Sequence, residues 1–188
     1  MAGQPRILML HKPRGVVVTR RDERGRKTVY DLLPDWAAAD GWVPVGRLDR
    51  ESTGLLLFVK EGALVEALTR PGACPKTYEV WVRGRVTDEH LAAISRGIPS
   101  PVGLLTAVSV ERLGGAGPKS RLRVILDEGR NRHIRRLFGA LRDPKFGTPL
   151  KVVELKRTHV GCLALDVPSG SWRFLSGEET GALVGATA

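Results

Sequence analysis

The 188-residue chain reads as an α+β protein with a mixed or antiparallel central sheet and flanking helices. Three observations predict this class. Strand-like runs outnumber helical ones and do not alternate with them in the βαβ rhythm of a parallel sheet. The segments Thr77 to Val86 and Arg121 to Leu126 alternate apolar and polar residues with period two. After Asn131, Ile134, Leu137, Phe138 and Leu141 recur at the spacing of one helix face. There is no internal repeat, and no linker long or polar enough to separate independent domains.

In order along the chain, Arg6 to Leu10 predicts a strand that ends in the basic turn His11-Lys12-Pro13-Arg14-Gly15. Val16 to Thr19 resumes extended structure, and Arg20 to Lys27 is a charged loop. Thr28 is placed to cap a short helix that stops at Leu33, before Pro34. Val43-Pro44-Val45 leads to a loop at Asp49, and Leu55 to Val59 forms the next strand. Glu61 to Leu68 is helical and Pro71 to Pro75 a loop. In the strand that follows, Tyr78, Val80 and Val82 share one face while Glu79, Trp81 and Arg83 share the other. Thr87 caps a helix carrying Leu91 and Ile94 that ends at Gly97. Val102 to Leu113 is a strand region, and Gly114 to Pro118 a flexible turn. Leu122, Val124 and Leu126 face together on the next strand. Asn131 caps a helix over 132–142, Val152 to Leu155 and Cys162 to Leu165 close the sheet, and the small residues from Gly181 form a frayed tail.

Hydrophobic residues make up 42% of the chain, enough to bury a core and to exclude disorder as the default. Thirty Lys and Arg against twenty Asp and Glu give a net charge of +10, with a pI of about 10.3. This balance points to a polyanionic partner, nucleic acid first, against the plainer reading of a merely basic soluble protein. Cys74 and Cys162 have no CxxC or metal-ligand spacing and read as free thiols in a reducing compartment. His11, His90, His133 and His159 are dispersed, and no metal site is expected. No Ser/His/Asp, Walker or dinucleotide pattern occurs. The first residues lack a signal-peptide pattern and no stretch has transmembrane length, so the expected location is the cytoplasm, without membrane association.

Two segments carry chemistry. In Gly46-Arg47-Leu48-Asp49-Arg50-Glu51-Ser52-Thr53-Gly54 a carboxylate lies between arginines that hold it ionised, as a nucleophile or base requires. The plainer reading is a structural Asp bridged to Arg47 or Arg50. In Glu128-Gly129-Arg130-Asn131-Arg132-His133-Ile134-Arg135-Arg136 a turn and helix present a purely cationic face opposite the apolar one. That face is either merely solvated or placed for RNA or a carboxylate partner. Tyr78 is either core or an aromatic platform for an extruded base. Lys12, in the first turn, is either a phosphate contact or an ordinary surface lysine.

These residues resemble the RsuA-type family of RNA pseudouridine synthases. Leu10-His11-Lys12-Pro13-Arg14-Gly15-Val16 is similar to its N-terminal NKPxG segment, and Gly46 to Leu57 to its GRLDxxSxGLLL signature. Lys76-Thr77-Tyr78 resembles its KxY segment, Glu128 to Arg136 its EGRNRQVRR segment, and Val153 to Arg157 with Gly161 its closing LxRxxxG segment. His133-Ile134 stands where the family has Gln-Val, leaving the arginines in place. The resemblance implies the pseudouridine synthase fold with a catalytic cleft. It implies one catalytic domain over 1–188, with a small N-terminal subdomain of about 1–45 packed with a core of about 46–180. Many relatives carry an S4 domain first; this chain starts almost at the catalytic part and so most resembles the RluE subgroup.

The implied activity is isomerisation of a specific uridine to pseudouridine without cofactor, metal or ATP, in 23S rRNA or the assembling large ribosomal subunit; with no evident self-association feature in the sequence, a monomer is the default expectation. Asp49, Tyr78 and Arg135 would be catalytic: the carboxylate, the residue stacking on the uracil, and the basic partner of the aspartate. Arg47, Lys12, Arg130, Arg132 and Arg136 would contact RNA. The rival classes are a non-catalytic rRNA-binding or ribosome-assembly protein, and a nuclease. The nuclease would need clustered carboxylates holding metal, and Asp49-Arg50-Glu51 provides no such set.

Overall fold

The computed structural model describes residues 6–186. In chain order its elements are β1 (Leu8–Lys12), a 3-10 turn (Val29–Leu32), α1 (Trp36–Ala39), β2 (Val43–Pro44), β3 (Thr53–Val59), α2 (Gly62–Thr69), β4 (Lys76–Arg83) and α3 (Asp88–Arg96). They continue with β5 (Ile98–Ser100), β6 (Gly103–Leu105), β7 (Ser109–Ala116), β8 (Lys119–Leu126), α4 (His133–Gly139), β9 (Lys151–Val160), β10 (Leu163–Ala164), β11 (Trp172–Phe174) and α5 (Gly177–Gly185). The class is α+β. The chain divides into two compact units, Met1–Cys74 with Arg157–Ala188, and Pro75–Lys156. The segment expected to form a small N-terminal subdomain falls within the first of these.

In the first unit β1 lies between β11 and β3, antiparallel to both. Its register pairs Leu8 with Phe58, Met9 with Leu57 and Leu10 with Leu56. Because side chains alternate across a strand, this register sorts the apolar residues onto two faces. Ile7, Met9, Leu55, Leu57 and Val59 pack with Leu64 and Leu68 of α2 and Leu183 of α5. Leu8, Leu10, Leu56 and Phe58 pack with Val29, Leu33, Ala37 and Trp42. A strand covered on both faces needs a near-continuous apolar run, which is why Leu55 to Val59 shows no alternation. Thr28 and Asp31 form a capping box at the start of the 3-10 turn, with the Thr28 amide donating to Asp31 Oδ2 at 2.6 Å.

The expected frayed tail is a helix instead. Ser176 and Glu179 form a capping box at the start of α5, with the Glu179 amide donating to Ser176 Oγ at 3.1 Å. Arg173 ties Glu179 and Asp166 together, with one 2.6 Å contact to each. Leu183 anchors the helix in the core. The small residues from Gly181 masked this signal, because the cap lies five residues earlier. Strand β11, also not anticipated, is short and pairs with β1.

The second unit contains an antiparallel sheet in the order β4-β8-β7, in which β7 and β8 form a hairpin and β8 pairs with β4. Tyr78, Val80 and Val82 share the buried face of β4, as the alternation predicts. Strands β4 and β8 stay in register from Lys76 opposite Leu126 to Arg83 opposite Lys119. The expected flexible turn at Gly114 to Pro118 shrinks to Gly117-Pro118, because β7 continues through Ala116 past a bulge between Arg112 and Gly114. Thr87 caps α3, accepting from the His90 amide, and Gly97 ends it at φ +104. The stretch from Val102 is not one strand. A β5-β6 hairpin forms first, and β7 begins only at Ser109. Helix α4 is shorter than its periodicity predicts, and its N-cap is Arg132 in the left-handed region (φ 53) rather than Asn131. Strand β9 runs ten residues, well beyond the predicted Val152 to Leu155.

Gly54 opens β3 at φ +115, and a Cβ there would overlap the Arg157 backbone. Gly54→Ala should therefore lower the stability of the protein by at least about 3 kcal/mol, from backbone strain added to overpacking. Urea unfolding of wild type and variant measures the difference.

Candidate active site

The first unit brings two of the sequence motifs together. Asp49 begins a tight turn closed by the Ser52 amide donating to the Asp49 carbonyl at 3.0 Å. The Asp49 side chain is half-buried, and Leu48 and Ser52 anchor the turn in the interior. The His11-to-Gly15 segment lies against this turn. The Gly15 amide donates to the Arg50 carbonyl at 2.8 Å, and Arg50 Nε returns a bond to the Gly15 carbonyl at 3.3 Å. Gly15 adopts φ +89, a conformation that favours glycine.

Lys12 is not in the turn after the first strand. It is the last residue of β1, opposite Gly54, and strand parity puts it on the Leu8 and Leu10 face, where it is wholly buried. Its Nζ donates to the Ser52 carbonyl at 2.8 Å, the Pro13 carbonyl at 3.0 Å and the Arg50 carbonyl at 3.4 Å. The expected phosphate contact is thus corrected: Lys12 staples the turn that carries Asp49. Burial pulls its ammonium down to about 8, while the negative charges of Glu51 and Asp49 pull the other way. Arg47 is exposed and makes no ion pair among the described residues.

Beneath the turn, Arg157 is buried and its Nε donates to the Leu55 carbonyl at 2.7 Å. Gly15, Ser52 and Arg157 were not singled out as site residues. Two of them act through backbone groups, for which side-chain pattern carries no signal.

The second unit holds the remaining candidates. Tyr78 lies on the buried face of β4, opposite Val124 of β8. On the other face Arg121 Nε meets Glu79 at 2.8 Å. Arg135, half-buried on α4, donates Nη1 to the Val152 carbonyl at 3.1 Å. Ile134, Leu137 and Phe138 form the apolar face of α4. His133 is buried as well, with Nε2 2.9 Å from the Thr106 carbonyl, and burial holds its imidazole below the ordinary range. Arg130 works within the unit: Nε pairs with Glu128 at 2.9 Å and Nη1 bonds the Val102 carbonyl at 2.8 Å, across the β5-β6 turn. Arg132 is exposed at the helix start. Arg136 Nη2 bonds Asn131 Oδ1 at 3.2 Å.

The pattern of the family described as RNA pseudouridylate synthase matches residues 6–140. The ribosomal large subunit pseudouridine synthase B of Vibrio cholerae serotype O1 is 38% identical over 173 residues, covering 90% of this chain and 51% of the relative. The protein of that name from Escherichia coli strain K12 is 37% identical over 178 residues, covering 93% and 58%. A crystal structure of a pseudouridylate synthase superposes at a TM-score of 0.80 with 30% identity, over 95% of this chain and 73% of that one. The archaeal box H/ACA sRNP Nop10-Cbf5 complex, at TM-score 0.62 and 21% identity, shares the fold alone. The fold is that of a pseudouridine synthase. The chain belongs to the RNA pseudouridylate synthase family. It spans a little over half the length of these curated relatives.

The Lys12 staple has a pH signature. The unfolded ammonium titrates near 10.5 and the folded one at about 8. Between those values the unfolded chain holds more protons, so this group's contribution to stability rises with pH. Relative to Lys12→Met, wild type should gain about 2 kcal/mol between pH 7 and pH 9.5. Denaturant unfolding of both proteins at the two pH values checks the direction.

Proposed function

We propose that the chain isomerises a uridine of large-subunit ribosomal RNA to pseudouridine. The observation that carries this reading is the Asp49 turn, a half-buried carboxylate held on a stapled, glycine-flanked loop within a pseudouridine synthase fold. A carboxylate in a strongly cationic chain opposes RNA binding, so its retention is best explained by chemistry. The synthase B names of the relatives support a substrate in the large subunit. The E-subgroup likeness of the motifs supports the same substrate, as 23S rRNA either free or in an assembling particle. A cytoplasmic monomer is the form we propose for it.

The reaction breaks the N-glycosidic bond and rejoins the base through carbon. That bond is inaccessible in a stacked helix, so the uridine must leave the stack at a cost of a few kcal/mol. In this reading Tyr78 supplies the stacking face that offsets part of the cost, and Arg135 supplies the positive charge that keeps the carboxylate ionised. Exposed Arg47 contacts the backbone of the flipped nucleotide, with Arg132 and Arg136 adding phosphate contacts. Arg130 contributes chiefly by holding the β5-β6 turn.

Asp49→Asn is nearly isosteric, and the Ser52 amide bond to the Asp49 carbonyl and the Lys12 bonds to the turn are made to backbone groups that the substitution leaves in place. The variant should bind RNA at least as tightly as wild type and form no pseudouridine. Mapping of pseudouridine in large-subunit RNA from cells lacking the protein, complemented with either form, tests this. Restoration of the missing modification by Asp49→Asn would refute the catalytic role.

A further inference from the structure

A groove of about 900 Å³ opens in the second unit, at the end of the β4-β8-β7 sheet where Arg83 pairs with Lys119. Its lining includes Arg83, Arg85, Lys119 and Lys145, all exposed. None of the four makes an ion pair among the described residues. This sets them apart from Arg112, Arg121, Arg123 and Arg130 of the same unit, each of which meets a carboxylate. Four cations around one concavity without a carboxylate partner repel one another, a cost that an anion offsets.

The one carboxylate among the lining residues does not supply that anion. Asp143 is buried. Its oxygens accept from the backbone amides of Arg85 at 2.7 Å, Lys145 at 2.8 Å and Phe146 at 3.0 Å. Its charge is thus spent on holding the loop that forms one wall. That loop displays Phe146, which at 67% exposure is the most exposed large apolar side chain among the described residues. Lys145 Nζ stands 5.2 Å from its ring centroid.

Cations that contact phosphates beside an exposed aromatic ring that stacks a base are the two elements of a single-stranded nucleic-acid site. An acidic protein segment would satisfy the cations but need not engage the ring. We propose that this groove is a second RNA-binding site, which grips a single-stranded stretch of the substrate through its phosphates and stacks one base on Phe146. It rests on the reading that the substrate is RNA and extends it to a site distinct from the Tyr78 end of the sheet. From Tyr78 to Arg83 along β4 is roughly 17 Å at the usual strand rise, about five steps of a stacked strand. The groove therefore fastens flanking nucleotides rather than the reacting one.

The test uses the full chain, a fluorescein-labelled single-stranded oligouridine and a large-subunit RNA transcript, with anisotropy titrations over a range of salt. The substitutions Arg85→Ala, Lys119→Ala and Lys145→Ala together should weaken binding about tenfold or more. They should also flatten the salt dependence by about two counterions, at roughly 0.7 per phosphate contact on a single strand. Phe146→Ala alone should weaken binding about tenfold with the salt slope unchanged. A control with the same charge loss, Arg96→Ala, Arg112→Ala and Arg123→Ala, should weaken binding much less.

Wild-type affinity in the groove variants would overturn the proposal, as would equal loss in the control, which would make the effect one of net charge. Retained RNA binding with lost co-sedimentation on ribosomal particles would also overturn it, giving the groove to a protein partner. Pseudouridine formation is assayed separately. Groove-dependent binding in a protein that makes no pseudouridine would overturn the catalytic reading and leave the groove standing; the converse result would do the opposite.

Discussion

A buried ammonium group organises the carboxylate-bearing end of the first unit. Removing a charge from water is costly unless hydrogen bonds replace the lost hydration. Lys12 offsets part of that cost through three backbone carbonyls, of Ser52, Pro13 and Arg50, and through the nearby charges of Asp49 and Glu51; the remainder is what pulls its ammonium down to about 8. The carbonyls belong to both segments that meet there, so one side chain fastens the His11-to-Gly15 turn and the Asp49 turn to the end of β1. The reciprocal bonds between Gly15 and Arg50 add to the clasp. The role proposed for Asp49 requires its carboxylate to be held within a fraction of an ångström, and a loop does this only when tied to a rigid element. Here the element is β1, itself paired with a strand on each side.

The same strands explain why so much leucine is concentrated in two short runs. Strands β1 and β3 are covered on both faces, one by α2 and α5, the other by the Trp36–Trp42 region. Trp36, Trp172 and Phe174 complete the second face with edge-to-face and stacked contacts. Gly54 then marks the point where the backbone of Arg157 comes too close to tolerate a side chain. Apolar cover, close backbone approach and the staple therefore converge on the residues just before and after the carboxylate turn.

The chain's positive charge is not spread uniformly in function. Part of it is structural: Arg26, Arg121, Arg130 and Arg173 form ion pairs that tie loops and strands, and Arg157 is sunk in the interior. Other cations are exposed and make no ion pair among the described residues, including Arg47 in the first unit and the groove cations in the second. Net charge sets long-range attraction to a polyanion. Only the unpaired set is able to contact it without first breaking a bond within the protein.

Much of the architecture was legible from local pattern. The alternation of β4 and β8, the Thr28 and Thr87 caps and the apolar face of α4 all follow from residue types at short spacing, because each depends on neighbours within a few positions. The extent of β7 and β9, the helical tail and the short α4 were not, since tertiary contacts decide how far an element continues once begun. Lys12 shows the difference most clearly. Its sequence neighbours Pro13 and Gly15 signal a turn, and a lysine beside a turn reads as surface. The pairing of β1 with β3 extends the strand by two residues and turns that lysine inward. By itself the sequence determined which chemistry the chain carries, because functional groups are written in residue identity. Which of its many cations face the interior, a carboxylate or solvent was decided only by the folded chain, because burial and pairing arise between segments distant in sequence.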